Sequence, residues 1–505
     1  MNEGYLLLAT ILIPMGAAVL IMATPARYKD VIRLIAVLAG FALFVISTYL
    51  FIAYNVVEDA TPENPFMFDL RWVWMENIAF FREDGITLHL SLDGISAPMV
   101  WLTGIVIFAG SLVSWKIDYR NKDYFVLLFM LVSGVFGVFI SLDLFFLFFF
   151  YEVAVIPMYL LIGVWGSSSV FPTFVRTKEY GALKLTLYLV AGSVLIWVAM
   201  FALFTESGVG TFDIPTLASV EYDEQFQRVI FAFIVIGFGV LAGMWPFHTW
   251  SPDGHVAAPT AVSMLHAGVL MKLGAFGILR VGMYILPEGA QFWMPAILVL
   301  GVTGALYGAL SAMSQRDFKY MVGYSSVSHM GYVIMGLATL NEVGINGAVL
   351  QMFAHGIMTA LMFTLVGAVY DQAHLRDMTL FGGLVQKMPR YTTFWAFAGL
   401  SSLGLPGLAG FVAEFHIFVG VFRTYPLFGA LGVAAAAITA AYILRMLALA
   451  FFGPFNVRWS GLRDMQFVEV AAASLLVAFL IFMGVWPSPF IDRISSSVLA
   501  LPGVG

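Results

Sequence analysis

The sequence predicts an all-α polytopic membrane protein with about 14 transmembrane helices. Of its 505 residues, 61% are hydrophobic and only 11% are charged, whereas about 25% of the residues of a soluble domain are charged. Apolar runs of the roughly 20 residues needed to cross the hydrocarbon core of a bilayer recur along the whole chain. Polar connections between them are short, so the chain 1–505 is expected to form a single membrane domain.

The apolar runs between polar connections define the individual spans. A span is expected wherever such a run is long enough, with an uncertainty of several residues at each end. The first run begins Met-Asn-Glu, without the basic stretch of a signal peptide, and is expected to remain as a span. The fourteen predicted spans are 4–24, 32–53, 94–115, 123–141, 142–165, 182–205, 228–247, 259–285, 291–313, 320–340, 344–370, 391–421, 425–452 and 466–487.

The distribution of Lys and Arg predicts the orientation. Of the 24 basic residues, 17 fall in one set of alternate connections, six in the other, and Lys272 lies inside a span. Cytoplasmic connections carry the excess of basic residues. Both termini are therefore expected outside, in the inner or plasma membrane of a bacterial-type cell. The cytoplasmic set consists of Arg27, Lys29, Arg33, Lys116, Arg120, Lys122, Arg176, Lys178, Lys184, Arg316, Lys319, Arg376, Lys387, Arg390, Arg445, Arg458 and Arg463.

The longest outer connection, residues 54–93, carries a strand pattern. Apolar and polar residues alternate from Ile86 to Leu92, which is typical of a β-strand with one buried face. A short β-hairpin is therefore expected in this outer loop.

Composition excludes several classes of function. The absence of cysteine rules out thiolate-held iron–sulfur clusters and disulfides in this chain. A net charge of -6 without a basic run argues against nucleic-acid binding, and no glycine-rich phosphate loop follows a strand. No cofactor and no metal are expected in this chain.

Five ionisable side chains within the predicted spans are candidate functional residues: Glu152, Lys272, Glu414, His329 and His355. Charges at membrane depth are costly, so such residues indicate function. Burial raises the pKa of a carboxyl group and lowers the pKa of an ammonium group, so both move toward pH 7, where histidine already titrates. The set is therefore typical of a proton relay.

Other roles are compatible with some of these residues. Glu152 and Lys272 could form a structural ion pair, although two carboxylates and one ammonium do not balance, and either histidine could have only a packing role. His329 and His355 could ligate haem if cofactor-sized space separated them. His248, Asp253 and His255 could ligate a metal, but their spacing fits no standard site, and a tight cytoplasmic turn is the preferred interpretation.

Two helix breakers lie in spans that are five apart. Pro246 ends the seventh span, and Pro406 lies among glycines in the twelfth. Broken backbone within a membrane lines a cavity or is buried in protein, and paired broken spans indicate a transporter site. Two inverted five-helix repeats are expected, at approximately 123–285 and 291–452; a simple proline kink is the alternative.

Several motifs resemble those of the antiporter-like membrane subunits of respiratory complex I. They are Pro246–Thr260, Ala267–Gly274, Tyr324–Tyr332, Phe148–Pro157 and Leu92–Ser96. The chain looks most like the M type, because no long lateral helix of the L type follows the last span. The resemblance implies a proton-translocating subunit that couples quinone reduction to pumping, with quinone, FMN and iron–sulfur clusters in partner subunits. It also implies L-type and N-type paralogues and a peripheral redox arm as partners.

The resemblance also implies residue roles. Lys272 matches the central lysine of the eighth span, Glu414 the exit-side glutamate, and Lys184 a further lysine of the sixth span. Glu152 matches the glutamate that modulates a lysine of the seventh span, and His329 and His355 match the axial histidines.

One position departs from the family pattern. Leu241 stands where the family has the seventh-span lysine. Glu152 is therefore expected to be protonated at rest or paired with Lys184. An Mrp-type cation/proton antiporter subunit and a purely structural spacer are the alternative functions.

Overall fold

The computed structural model describes residues 4–54, 64–76, 85–170 and 175–504, and within them the chain is mainly helical. Two short strands, β3 (Ser169–Val170) and β4 (Val175–Arg176), pair on the side predicted to be cytoplasmic. The helices are α1 (Gly4–Ala23), α2 (Lys29–Ala53), α3 (Ser96–Val113), α4 (Asn121–Ile140), α5 (Leu144–Trp165), α6 (Lys178–Ser207), α7 (Ile214–Ala218), α8 (Glu224–Ala242), α9 (Trp250–Ala257), α10 (Thr260–Leu265), α11 (Met271–Gly277), α12 (Pro287–Ser314), α13 (Phe318–Leu337), α14 (Glu342–Ala373), α15 (Pro389–Ser402), α16 (Ala409–Thr424), α17 (Pro426–Ala450), α18 (Phe467–Val485) and α19 (Ser488–Val498).

Each of the fourteen predicted spans contains helix, and the all-α membrane fold is confirmed. Within the described residues, twelve helical segments are long and apolar enough to cross a membrane. The other two predicted spans are α13, which carries the polar stretch from Tyr324 to His329, and the pair α15 and α16, which are 14 and 16 residues long. A polar helix and a broken helix are both expected where a membrane protein carries a buried site.

The connections contain the capping residues that begin several helices. The carboxylate of Asp143 accepts hydrogen bonds from the backbone N–H groups of Phe145 and Phe146 at the start of α5. Asp317 does the same for Lys319 and Tyr320 at the start of α13. These bonds satisfy N–H groups that the first helical turn leaves without partners.

The outer hairpin is confirmed by two antiparallel strands, β1 (Met67–Met75) and β2 (Ile86–Leu92). The connection between them, and residues 55–63 before them, lie outside the described part of the chain. His89 of β2 lies between two carboxylates, 2.5 Å from Asp213 and 2.6 Å from Asp69. Burial alone would lower the pKa of His89, but the hydrogen bonds to Asp213 and Asp69 outweigh it and raise the pKa to about 9.

Two of the membrane-crossing segments have their apolar stretches entirely inside the protein. These are the segment Thr260–Met283 and α14, whose apolar stretches are fully buried, whereas about a third of α2 and of α17 is buried. The segment Thr260–Met283 includes two π-helical stretches, His266–Leu270 and Ile278–Met283. Side chains on these two segments therefore face protein rather than lipid.

Both predicted helix breaks are present. The chain leaves helical geometry between α8 and α9, where Gly243 has a φ of +68°, and between α15 and α16, where Gly404 and Gly407 have φ values of +75° and +91°. Residues with a side chain rarely adopt such angles, so glycine allows the chain to turn at these two places.

Candidate functional site

The ammonium group of Lys272 lies in the centre of the protein and has two partners. The side chain is fully buried; its Nζ donates to the carbonyl oxygen of Ala267 and lies 2.6 Å from Nδ1 of His355. An ammonium group only donates, so Nδ1 of His355 accepts and the ring proton of a neutral His355 is on Nε2. Within the described residues, Nε2 has no hydrogen-bond partner.

The π-helical stretch before Lys272 supplies the carbonyl that it binds. Ala267 lies within His266–Leu270, and Lys272 follows this stretch directly in α11. A π-helical turn contains an extra residue, and such turns are frequent at functional sites. The stretch thus shapes the surroundings of the lysine through backbone geometry.

His355 continues the contact to His329 on the neighbouring helix. The two rings are stacked at 5.1 Å with an interplanar angle of 29°. Nδ1 of His329 donates to the carbonyl of Ser325 at 2.8 Å, and Nε2 lies 3.2 Å from the carbonyl of Ser402. Both ring nitrogens of His329 therefore face carbonyl oxygens, which can only accept hydrogen bonds.

Glu414 provides the last group of this row. Its carboxylate is buried and lies 3.6 Å from Nε2 of His329. A Cβ added at Gly404 would lie 2.8 Å from Oε2 of Glu414, so the break between α15 and α16 makes room for the carboxylate. We call Lys272, His355, His329 and Glu414 the central row.

The spacing of the two histidines in the central row bears on the haem alternative. The two histidine rings stack directly on each other at 5.1 Å. A haem between two axial histidines needs cofactor-sized space between the rings. The stacking therefore contradicts that alternative.

Lys184 does not join the central row, and it binds Asp253 rather than Glu152, so the second of the two arrangements expected for Glu152 is not the one observed. Its Nζ binds Oδ2 of Asp253 at 2.8 Å, and Arg176 binds the other oxygen of the same carboxylate. The ion pairs among the described residues do not include Glu152. The short helix α9 is responsible, because it places Asp253 beside α6.

Glu152 lies apart from the row, on the wall of an open groove. The groove measures about 570 Å³ and lies between α5 and α6, with Phe148, Trp197 and Phe201 among its aromatic walls. Glu152 is partly exposed there, and Ser193 of α6 lines the same groove. Its carboxylate can therefore meet groups from outside this chain.

Leu241 is buried in α8, close to the helix of the central lysine. A Cβ at Gly274, two residues after Lys272, would lie 2.3 Å from the backbone nitrogen of Ala242. The two helices are thus in backbone contact at this level. Because leucine does not titrate, this position beside the helix of Lys272 lacks the titratable group that the family's lysine would provide.

Three further polar residues lie on the predicted cytoplasmic side of Lys272. The rings of His255 and His266 are 4.3 Å apart, and Nε2 of His255 lies 3.0 Å from the hydroxyl of Ser251. Lys319 is buried, and its Nζ donates to the carbonyl of Ala258 at 2.7 Å. Sequence reasoning missed this group.

The sequence pattern includes these three residues but assigns no proton-transfer role to them. The sequence pattern places His255 in a turn and Lys319 among the basic cytoplasmic connections, and it gives no role to His266, directly before the motif Ala267–Gly274. The possible metal-site residues have separate neighbours: His248 packs against the ring of Tyr307 at 4.9 Å, His255 contacts Ser251, and Asp253 binds basic side chains. They do not converge on one point.

A cavity of about 170 Å³ on the predicted cytoplasmic side reaches Lys319. Lys319 and Asp371 are on its wall, together with Lys116 and Glu469, which form an ion pair at 2.5 Å. A polar cavity of this size has room for several water molecules. Solvent could thus approach Lys319.

Comparison with known proteins places the chain in a family. The profile of the family described as "NADH:quinone oxidoreductase/Mrp antiporter, TM" matches residues 141–439. NADH-quinone oxidoreductase subunit M of Rhodobacter capsulatus is 34% identical over 517 aligned positions, which cover 99% of this chain and 96% of the relative. The chain belongs to this family, as an M-type subunit.

Other relatives and solved structures agree with this assignment. NAD(P)H-quinone oxidoreductase chain 4 2 of Microcystis aeruginosa is 36% identical, over 88% of this chain and 79% of the relative. The fold matches a chain of respiratory complex I from Thermus thermophilus with bound NADH, with a TM-score of 0.86, 24% identity and coverage of 98% and 99%. It also matches a chain of the Mrp complex from Dietzia sp. DQ12-45-1b, with a TM-score of 0.82, 18% identity and coverage of 99% and 97%. At these identities the structural matches support the fold.

Proposed function

We propose that this M-type subunit translocates protons in a respiratory NADH:quinone oxidoreductase, and that the central row carries them. The observation that supports this most directly is the contact of 2.6 Å between the buried Lys272 and His355. It continues through a stacked histidine pair to a buried carboxylate. Titratable groups in a membrane interior are costly, so a line of them indicates a function.

The first transfer follows from the hydrogen bond between Lys272 and His355. The ammonium group gives a proton to Nδ1 of His355, which leaves a neutral amine and an imidazolium. Nε2 of His355 then releases its proton toward His329, and from there it passes to Glu414. The contacts of 2.6 Å and 3.6 Å at the two ends of the row are within reach of direct or water-assisted transfer.

Protons reach Lys272 from the cytoplasmic side in this proposal. Lys319 is on the wall of the cavity and binds the carbonyl of Ala258, three residues after His255, whose ring lies 4.3 Å from that of His266. Both rings are buried; Nε2 of His255 lies 3.0 Å from the hydroxyl of Ser251, and the two nitrogens of His266 have no hydrogen-bond partner among the described residues. Lys319, His255 and His266 would therefore reload the row.

The two broken helices support an inverted-repeat arrangement over approximately 123–285 and 291–452. Each proposed repeat contains one break with a glycine at positive φ, Gly243 and Gly404. Polar side chains follow each break in the chain: Ser251 and His255 follow the first, and Glu414 follows the second. Pro246 and Pro406 would thus mark two half-channels.

The proposed partners are L-type and N-type paralogues and a peripheral redox arm that carries FMN, iron–sulfur clusters and quinone. The names of the relatives, which are subunits of quinone oxidoreductases, support this. The excess of Lys and Arg in one set of connections supports a plasma-membrane topology with both termini outside. Glu152, on its open groove, would sense a neighbouring subunit and bias the proton on Lys272.

The test is the number of protons pumped per electron in membrane vesicles that contain the assembled complex. Lys272→Ala should leave NADH oxidation in place and remove the contribution of this subunit to pumping. Lys387→Ala, at an exposed lysine away from the row, is the matched control. Wild-type pumping by the Lys272→Ala complex would refute the proposal and support a purely structural spacer.

A cation/proton antiporter subunit is the second candidate, supported by the match to the Mrp complex fold. Mass spectrometry of the complex extracted in mild detergent separates the two candidates. Flavin and iron–sulfur subunits in stoichiometric amounts support the redox-driven pump. A set of small membrane subunits without them, together with sodium-dependent transport, would support the antiporter.

A further inference from the structure

A second charged residue lies on the helix of the central lysine, and its partner is on the outer rim. Arg280 is in the stretch Ile278–Met283, the second π-helical stretch. Its Nη2 lies 2.5 Å from Oδ2 of Asp93, and the side chains of Arg280 and Asp93 are 3% and 1% exposed. The guanidinium carbon also lies 5.3 Å from the ring centres of both Phe66 and Phe276.

Asp93 is held rigidly by several elements. Its Oδ1 accepts a hydrogen bond of 2.8 Å from the N–H of Ser96 at the start of α3. The backbone N–H of the next residue, Gly94, donates a hydrogen bond to the hydroxyl oxygen of Ser497 in α19, and a Cβ at Gly94 would lie only 1.8 Å from the carbonyl oxygen of Arg493. The carboxylate that binds Arg280 therefore belongs to a fixed junction of α3, α19 and the hairpin.

Lys272 lies between the two π-helical stretches, eight residues before Arg280. The helical rise places the two residues within roughly 12 Å along the helix. Each π-helical turn shifts the register of the residues beyond it, because it contains an extra residue. The direction of the Lys272 side chain thus depends on both π-helical stretches, and the second is tied to Asp93.

A buried ion pair rarely stabilises a protein more than apolar packing would, and one recognised use of such pairs is to specify a register. We infer that Asp93 and Arg280 are positioning residues for Lys272, because their ion pair fixes the outer end of its helix and sets Nζ within reach of His355. This inference rests on the proposed function of the central row. It adds two residues that touch neither Lys272 nor His355.

The test uses the assembled complex in membrane vesicles and a charge-neutral double variant, Asp93→Asn with Arg280→Met. We expect NADH oxidation to be retained, the pumped protons per electron to fall to the level of Lys272→Ala, and the pH midpoint of pumping to shift. A matched control is Arg33→Met with Asp118→Asn, which removes an ion pair of 2.6 Å away from the Lys272 helix. The control should pump like the wild type.

Arg280→Lys keeps the positive charge and tests the same inference if the double variant does not assemble. A lysine cannot reproduce the planar fork of the guanidinium, so we expect a lower proton ratio and a shifted pH midpoint. A wild-type ratio with an unchanged midpoint, in either assembled variant, would overturn the inference. If Lys272→Ala itself pumps normally, the proposed function fails instead, so the two failures are distinguishable.

Discussion

The hydrogen bond between Lys272 and His355 gives the sharpest prediction about the central row. His355→Gln retains an oxygen that can accept from the lysine, whereas His355→Phe removes the acceptor. A hydrogen bond to a charged group contributes about 1.5–3 kcal/mol. The Phe variant should therefore be destabilised by about that amount, while the Gln variant should assemble normally.

Both substitutions are also expected to differ from the wild type in proton transfer. Glutamine has no group that takes up a proton near neutral pH, and a positioned acid–base group contributes about 10²–10⁴-fold to a transfer rate. We therefore expect His355→Gln to lose the pumping of this subunit while NADH oxidation by the complex continues.

The assay compares proton uptake with NADH oxidation in inverted membrane vesicles, using the thermal midpoint of the purified complex as the stability measure. His416→Gln is the matched control, because His416 lies on α16 and its Nδ1 binds the carbonyl of Val412 in its own helix at 2.7 Å. Wild-type pumping by an assembled His355→Gln complex would refute the role of His355 as a proton carrier.

Three more predictions concern other parts of the molecule. Gly404→Ala should lower the free energy of unfolding by about 1–3 kcal/mol, because the φ of +75° is strained for alanine and the new Cβ would press on the carboxylate of Glu414. The thermal midpoint measures this loss, and Gly163→Ala, where a Cβ meets open space, is the control. The stabilisation from the raised pKa of His89 should be complete below about pH 6.5 and lost as the pH rises through about 9; hydrogen exchange of the hairpin should show this loss, and His89→Gln should abolish the pH dependence. Lys184→Met should leave the infrared carboxyl band of Glu152 unchanged, and a shifted band would show that the two groups interact after all.

The sequence was sufficient to predict features that depend on local pattern. Apolar runs located the spans, the alternation from Ile86 to Leu92 located a strand, and Pro246 and Pro406 located the two breaks. These predictions succeed because hydrophobic length, residue alternation and helix breaking act over a few neighbouring residues.

Pairings between distant helices were harder to predict. Lys184 binds Asp253 because α9 folds back against α6, and no local pattern shows this contact. Lys319 was missed because a lysine close to a cytoplasmic connection is usually solvated, whereas here it is buried against the carbonyl of Ala258. The π-helical stretches around Lys272 depend on tertiary packing and have no simple sequence signature.

The depth of the central row determines which steps respond to the membrane potential. Lys272, His329 and His355 each lie near the middle of a membrane-crossing segment, and Glu414 lies just after the central break of another. A proton that moves along this row travels mainly parallel to the membrane plane, across the field rather than along it. Full crossing of one charge corresponds to about 2.3 kcal/mol per 100 mV. In the proposed route, that electrical work is done during entry from the predicted cytoplasmic side and release beyond Glu414, and transfer between the histidines is expected to be nearly independent of voltage.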